Sequence, residues 1–139
     1  MFTTRLRRKE DLETVYGAPN LGVIRGKEID ATTIEMICIS IKAMCAKKGI
    51  HKLCLTGTYS HEMAEQVKEQ ICSALSEELH EIYYAGSIVT EPKALEKVTE
   101  AQAVVIVEKE DASMSAQISR QIDLCNMHDV AIIGSVVLY

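Results

Sequence analysis

The run Ala103-Val-Val-Ile-Val107 constrains this chain more than any other segment. It is continuously apolar and almost wholly β-branched, the pattern of a strand covered on both faces rather than one. Segments with the period of a helix alternate with short strand-like segments on either side of it. Asp11 to Tyr16 reads as a helical turn closed by Gly17 and Pro19, and Leu21 to Ile24 as a strand ended by Gly26. From Asp30 the apolar set Ile34, Ile37, Cys38, Ile41, Met44 and Cys45 recurs at helical spacing, and Lys47, Lys48 and Gly49 stop it. Lys52 to Gly57 is a strand. Ser60 is placed to cap a helix striped by Met63, Val67, Ile71, Cys72 and Leu75. Ile82 to Ala85 is a further strand, with Tyr83 and Tyr84 packing one ring inward and one outward. Thr90, Glu91 and Pro92 open a short helix to about Thr99, with the threonine as its cap. Met114, Ile118, Ile122 and Cys125 stripe a last helix, and Val130 to Leu138 is the closing strand. Such an order predicts an α/β fold of three layers, a mainly parallel sheet with helices on both faces, because parallel neighbours need crossovers and crossovers are usually helices.

With 139 residues, 47% of them apolar, the chain has the material for one core. Residues 1–9 read as a basic arm and 10–139 as a single α/β domain. Arg5, Arg7, Arg8 and Lys9 put four cations in the arm, which leaves 11 basic against 20 acidic residues in the body. An acidic body is the wrong sign for holding a nucleic-acid backbone. One Phe, five Tyr and no Trp supply few rings for base stacking. Five cysteines without a CxxC pair, set in apolar segments, read as reduced buried thiols. No apolar stretch approaches the roughly 20 residues of a membrane helix, and acids at Glu10, Asp11 and Glu13 follow the basic cluster where a signal peptide would be apolar.

Ligands of such folds sit beyond the carboxyl ends of the strands, so the turn Thr56-Gly-Thr-Tyr-Ser-His61 is the first candidate site. It has the strand-turn-helix context of a phosphate-binding loop, yet counting from Gly57 the positions of the second glycine, the lysine and the hydroxyl hold Glu62, Met63 and Ala64. Glu62 brings negative charge to a helix start that would attract phosphate, Met63 removes the counter-charge and Ala64 the magnesium ligand. An aspartate at the end of a core strand, needed to hold magnesium, is replaced by Ala85-Gly86 after one strand. After another come Glu108, Glu110 and Asp111, which alternate with Lys109 as a solvated face would. His61 and Glu65 keep half of a zinc-binding HExxH pattern with no third ligand in view. No metal or cofactor is therefore expected. His51, His80 and His128 lie at element edges, as solvated or capping histidines do.

The segment Asp11-Leu-Glu-Thr-Val-Tyr-Gly-Ala-Pro-Asn-Leu-Gly-Val-Ile24 resembles the stretch that follows the second membrane helix in Wzz-type polysaccharide chain-length determinants and their fused bacterial tyrosine kinases. The helix from 30 to 46, the strand and turn from Lys52 to Met63, the segment Ala101 to Glu108 and the closing Ile133-Gly-Ser-Val-Val137 follow the course of the kinase domain. The resemblance implies a shortened P-loop NTPase-like fold on the cytoplasmic face of a bacterial membrane. It makes the arm a juxtamembrane segment, in keeping with the positive-inside tendency. The family's Walker A lysine and Walker B aspartate are missing here, the Glu77 to Glu81 connector leaves no room for its extra Walker strand, and its C-terminal tyrosine cluster is reduced to Tyr139. The expectation is a non-catalytic interaction or regulatory domain for capsular or exopolysaccharide chain-length control and export. Its partners would be the membrane-embedded remainder of its own protein and a tyrosine kinase or further copies of itself, with no nucleic acid. The alternative is a sensor or enzyme for a small anionic ligand, a phosphate or nucleotide, held at Thr56, Gly57, Thr58, Tyr59, Ser60 and His61 by backbone amides and the Ser60 hydroxyl.

Overall fold

The computed structural model describes residues 17–25, 28–59, 61–79, 81–110, 113 and 115–139. The basic arm, the turn expected over Asp11 to Tyr16, and Gly26, Ser60, His80, Asp111 and Met114 lie outside the described residues. The elements are β1 (Asn20–Ile24), α1 (Ala31–Lys48), β2 (Lys52–Thr56), α2 (Glu62–Leu75), β3 (Glu81–Tyr84), α3 (Pro92–Thr99), β4 (Ala103–Lys109), α4 (Ser115–Met127) and β5 (Ala131–Leu138).

Local chemistry sets the helix boundaries. Asp30 caps α1, its carboxylate accepting from the Thr32 amide at 3.1 Å and the Thr33 hydroxyl at 2.9 Å. At the other end Gly49 takes a left-handed backbone, φ 67°, and donates to the Cys45 carbonyl, which a side chain would strain. Two expected caps differ. Thr90 does not cap α3; Glu91 holds the cap position, its carboxylate accepting from the Ser87 amide at 3.0 Å instead of closing onto the helix. For α2 the cap is His61, whose Nδ1 accepts from the Met63 amide at 3.2 Å. An extended backbone at His61 lets a ring nitrogen do what a hydroxyl was expected to do.

All five strands pair in parallel, in the order β1-β5-β4-β2-β3. Alternate residues of β4 feed two cores. Ala103, Val105 and Val107 join Ile37, Ile41, Val67 and Ile71 beneath α1 and α2, whereas Val104 and Ile106 join Val98, Ile118 and Cys125 beneath α3 and α4. Every residue from Ala103 to Val107 is at most 1% exposed, so the run is covered on both faces. Tyr84 packs toward the first core and Tyr83 toward the second, where the Tyr83 hydroxyl donates to the Lys97 carbonyl at 2.7 Å and burial raises its pKa. Beside β4, the register of β5 shifts between Ile132 and Gly134, and Ile133 turns into the first core.

The order of strands also places a crevice. From β2 the chain leaves through α2 on one face to reach β3, and from neighbouring β4 it leaves through α4 on the other face to reach β5. Adjacent strands whose continuations part to opposite faces open a gap between their carboxyl ends, which is where open α/β sheets hold ligands. The loops after β2 and β4 line that gap.

Candidate functional site

Glu108 occupies the crevice. As the sixth residue of β4 it shares the face of Val104 and Ile106, which sends its side chain beneath α4, and it is fully buried. The solvated face expected for it is therefore wrong: strand parity carries Glu108 inward. At least five donor groups converge on its carboxylate. The Thr58 amide lies 3.0 Å from each oxygen, the Thr58 hydroxyl 2.7 Å and the Tyr59 amide 3.2 Å from Oε1. The Ser113 hydroxyl donates to Oε1 at 2.8 Å and Gln121 Nε2 to Oε2 at 3.1 Å. Ser113 also receives the Lys109 amide at 3.0 Å, which fastens the loop after β4 to the strand it leaves. A buried carboxylate is tolerable only when its lone pairs are so matched.

Three of these donors, the Thr58 amide and hydroxyl and the Tyr59 amide, come from the turn that the alternative reading of the sequence offered to an anion. Two successive backbone amides, Thr58 and Tyr59, aim at one acceptor, the geometry of an anion-binding nest, and the acceptor belongs to the chain. Gly57 has a related role. A Cβ there would collide with the Val107 carbonyl oxygen, so the glycine lets the β2 turn lie against the β4 backbone that presents Glu108. The remaining expected residues divide. Thr56 is buried, with its hydroxyl donating to the Gly86 carbonyl at 2.6 Å. Tyr59 stacks on His61 with ring centroids 5.4 Å apart, His61 is engaged as the α2 cap, and Ser60 lies outside the described residues.

Lys68 stands at the rim of the same end of the sheet and was not foreseen. It is 1% exposed on α2, with Nζ 2.8 Å from Glu65 Oε1 and 2.8 Å from the Ala85 carbonyl. Its charge holds the residue just beyond β3 and the half-exposed Glu65, the acid that the HExxH-like spacing singled out. On the other side of β3, Glu91 reaches back to Ser87, and its carboxylate fills the space above Gly86. The positions where a magnesium-binding aspartate was sought thus form a turn held by Lys68, Thr56 and Glu91.

Cys38, Cys45, Cys54 and Cys125 are buried and Cys72 is half-buried, all as free thiols. Burial pushes Cys54 and Cys72 up to about 12 and Cys125 up to about 11, so these are protonated packing groups, not nucleophiles. Among the described residues no three His, Cys, Asp or Glu side chains are grouped to hold a metal ion, and no helix is long and apolar enough to cross a membrane. No family model, curated protein or solved structure matches the chain significantly.

Proposed function

We propose that this is a non-catalytic docking domain with a shortened P-loop-like fold, attached on the cytoplasmic side to a membrane protein that controls the chain length or export of a bacterial surface polysaccharide. The observation that carries the loss of chemistry is the Glu108 carboxylate seated on the Thr58 and Tyr59 amides. A phosphate entering that nest must displace a buried side chain with at least five donors, and the loop offers it no lysine in exchange. The resemblance of the segment from Asp11 to Ile24 supports the polysaccharide setting, and the basic arm suits a position beside an anionic membrane face. In this reading the domain acts by binding protein, either a separate tyrosine kinase or other copies of itself. The anion-sensing alternative uses the same amides and requires Glu108 to leave them.

The test is genetic and biochemical together. Deleting residues 17–139 from the native chromosomal copy should shift the length distribution or the export of the surface polysaccharide on a gel, while the purified chain hydrolyses no ATP. An unchanged polysaccharide pattern overturns the cellular role, and magnesium-dependent ATP turnover by the purified chain overturns the non-catalytic one.

A further inference from the structure

The outer face of α1 differs from those of its neighbours. On α2 the exposed positions are Glu62, Gln66, Glu69, Gln70, Ser73 and Ala74, and on α3 they include Lys93, Glu96 and Lys97, the polar faces expected of surface helices. On α1 the seam Thr32, Met36, Ile39, Ala43 and Ala46 is exposed instead, at alternating spacings of four and three. Met36 is 64% and Ile39 60% exposed, two of the three large exposed apolar side chains among the described residues. Spacing of this kind is the a/d pattern of a helix that packs on another helix. The inner face of α1 is already used, since Ile34, Ile37, Cys38, Ile41 and Cys45 lie in the core.

We propose that this seam is a self-association surface on which α1 of a second copy of the chain packs antiparallel. Charge selects that occupant and that direction. The N-terminal half of the helix and its approach carry Glu28, Asp30 and Glu35, whereas the C-terminal half carries Lys42, Lys47 and Lys48, all exposed. Two antiparallel copies set each acidic half against the other's basic half and also oppose the helix dipoles favourably. At about 100° per residue, Met36 and Ala43 fall on one side of Ile39, and Glu35 and Lys42 on the other. A two-fold axis passing beside Ile39 then lays Met36 over the small Ala43 of the second copy and brings Glu35 beside its Lys42. Lys42 already reaches Glu78, in the turn that follows α2, at 2.6 Å, so the pairing extends an existing ion pair into a short network. Ala43 and Ala46 let the two backbones approach closely.

This surface gives the docking role proposed above a place and one partner, but its test reads assembly alone and can fail while the crevice stays closed to nucleotide. Sedimentation of the full chain at about 100 μM should give twice 15.4 kDa. Ile39→Glu, at an exposed position and with an unchanged circular dichroism spectrum, should weaken the dimer at least about tenfold. Under mild oxidation Ile39→Cys should cross-link to itself, Thr32→Cys mixed with Ala46→Cys should cross-link to each other, and Ala46→Cys alone should not. A chain that stays monomeric overturns the proposal, as does a dimer that survives Ile39→Glu. Self-cross-linking of Ala46→Cys, the mark of a parallel pair, overturns the antiparallel arrangement.

Discussion

Replacing Glu108 removes the acceptor on which the loops after β2 and β4 and the helix α4 converge. Glu108→Gln keeps the volume but turns an amide NH₂ toward donors, so it should lower unfolding stability by about 1–3 kcal/mol, read as the midpoint of a urea titration. An unchanged midpoint would mean that the carboxylate is not the tie described above. Gly57→Ala forces the β2 turn away from the Val107 carbonyl and should cost about 1–3 kcal/mol as an overpacked site, with the Thr58 bonds to Glu108 loosened in the same variant. The thiols give a pH dependence of definite sign. A thiol raised from 9.0 to about 12, as at Cys54, or to about 11, as at Cys125, stabilises the fold fully below the unfolded value and loses that contribution as pH rises through the folded one. Stability should therefore fall from pH 9 upward, and Cys54→Ala should flatten that fall relative to its own value at pH 7. Much of the residue-level picture was hidden in the sequence for one reason. Glu108 and Lys68 look like surface charges until their register is known, although Glu108 has the parity of Val104 and Ile106, and Lys68 lies one turn after Ala64 on the buried stripe that continues to Ile71 and Leu75. Gln121, three residues after Ile118, repeats the pattern on α4.

At the scale of elements, periodicity and end chemistry carried most of the information. The span of α1 could be read from Asp30 and Gly49, because both act through their own backbone neighbours within a few residues. Asp30→Ala should lower stability by about 1 kcal/mol, measurable as a shift in thermal midpoint, with the far-ultraviolet spectrum retained. The α2 cap was less legible. Ser60 and His61 are adjacent and both can accept, and only the backbone path decides which side chain reaches the Met63 amide. At α3 the helix begins one residue later than the threonine suggested, so Glu91 takes the cap position without a side-chain cap bond and its carboxylate holds the Ser87 amide across the turn. For β4 the apolar run specified burial on both faces before any neighbour was known, and Val104→Ala or Ile106→Ala would open a cavity in the core beneath α3 and α4 while Val105→Ala would open one in the core beneath α1 and α2.

For the whole molecule, alternation of helix and strand was enough to indicate a parallel sheet between helical layers, but not the order β1-β5-β4-β2-β3. That order depends on which strands meet across gaps of many residues, and it alone puts the turn after β2 beside the end of β4. The site was therefore half legible: the turn at Thr56 to His61 was marked by its glycine and its context, whereas its partner, Glu108, is 50 residues away from Thr58 and becomes part of the site only through topology. At the carboxyl ends of β2 and β4 the fold opens a crevice and fills it with its own carboxylate. Calorimetric titration of the purified chain with ATP and magnesium, repeated with inorganic phosphate, tests this most directly. The account predicts no saturable heat from either ligand. A saturable, magnesium-dependent binding isotherm for ATP would contradict it.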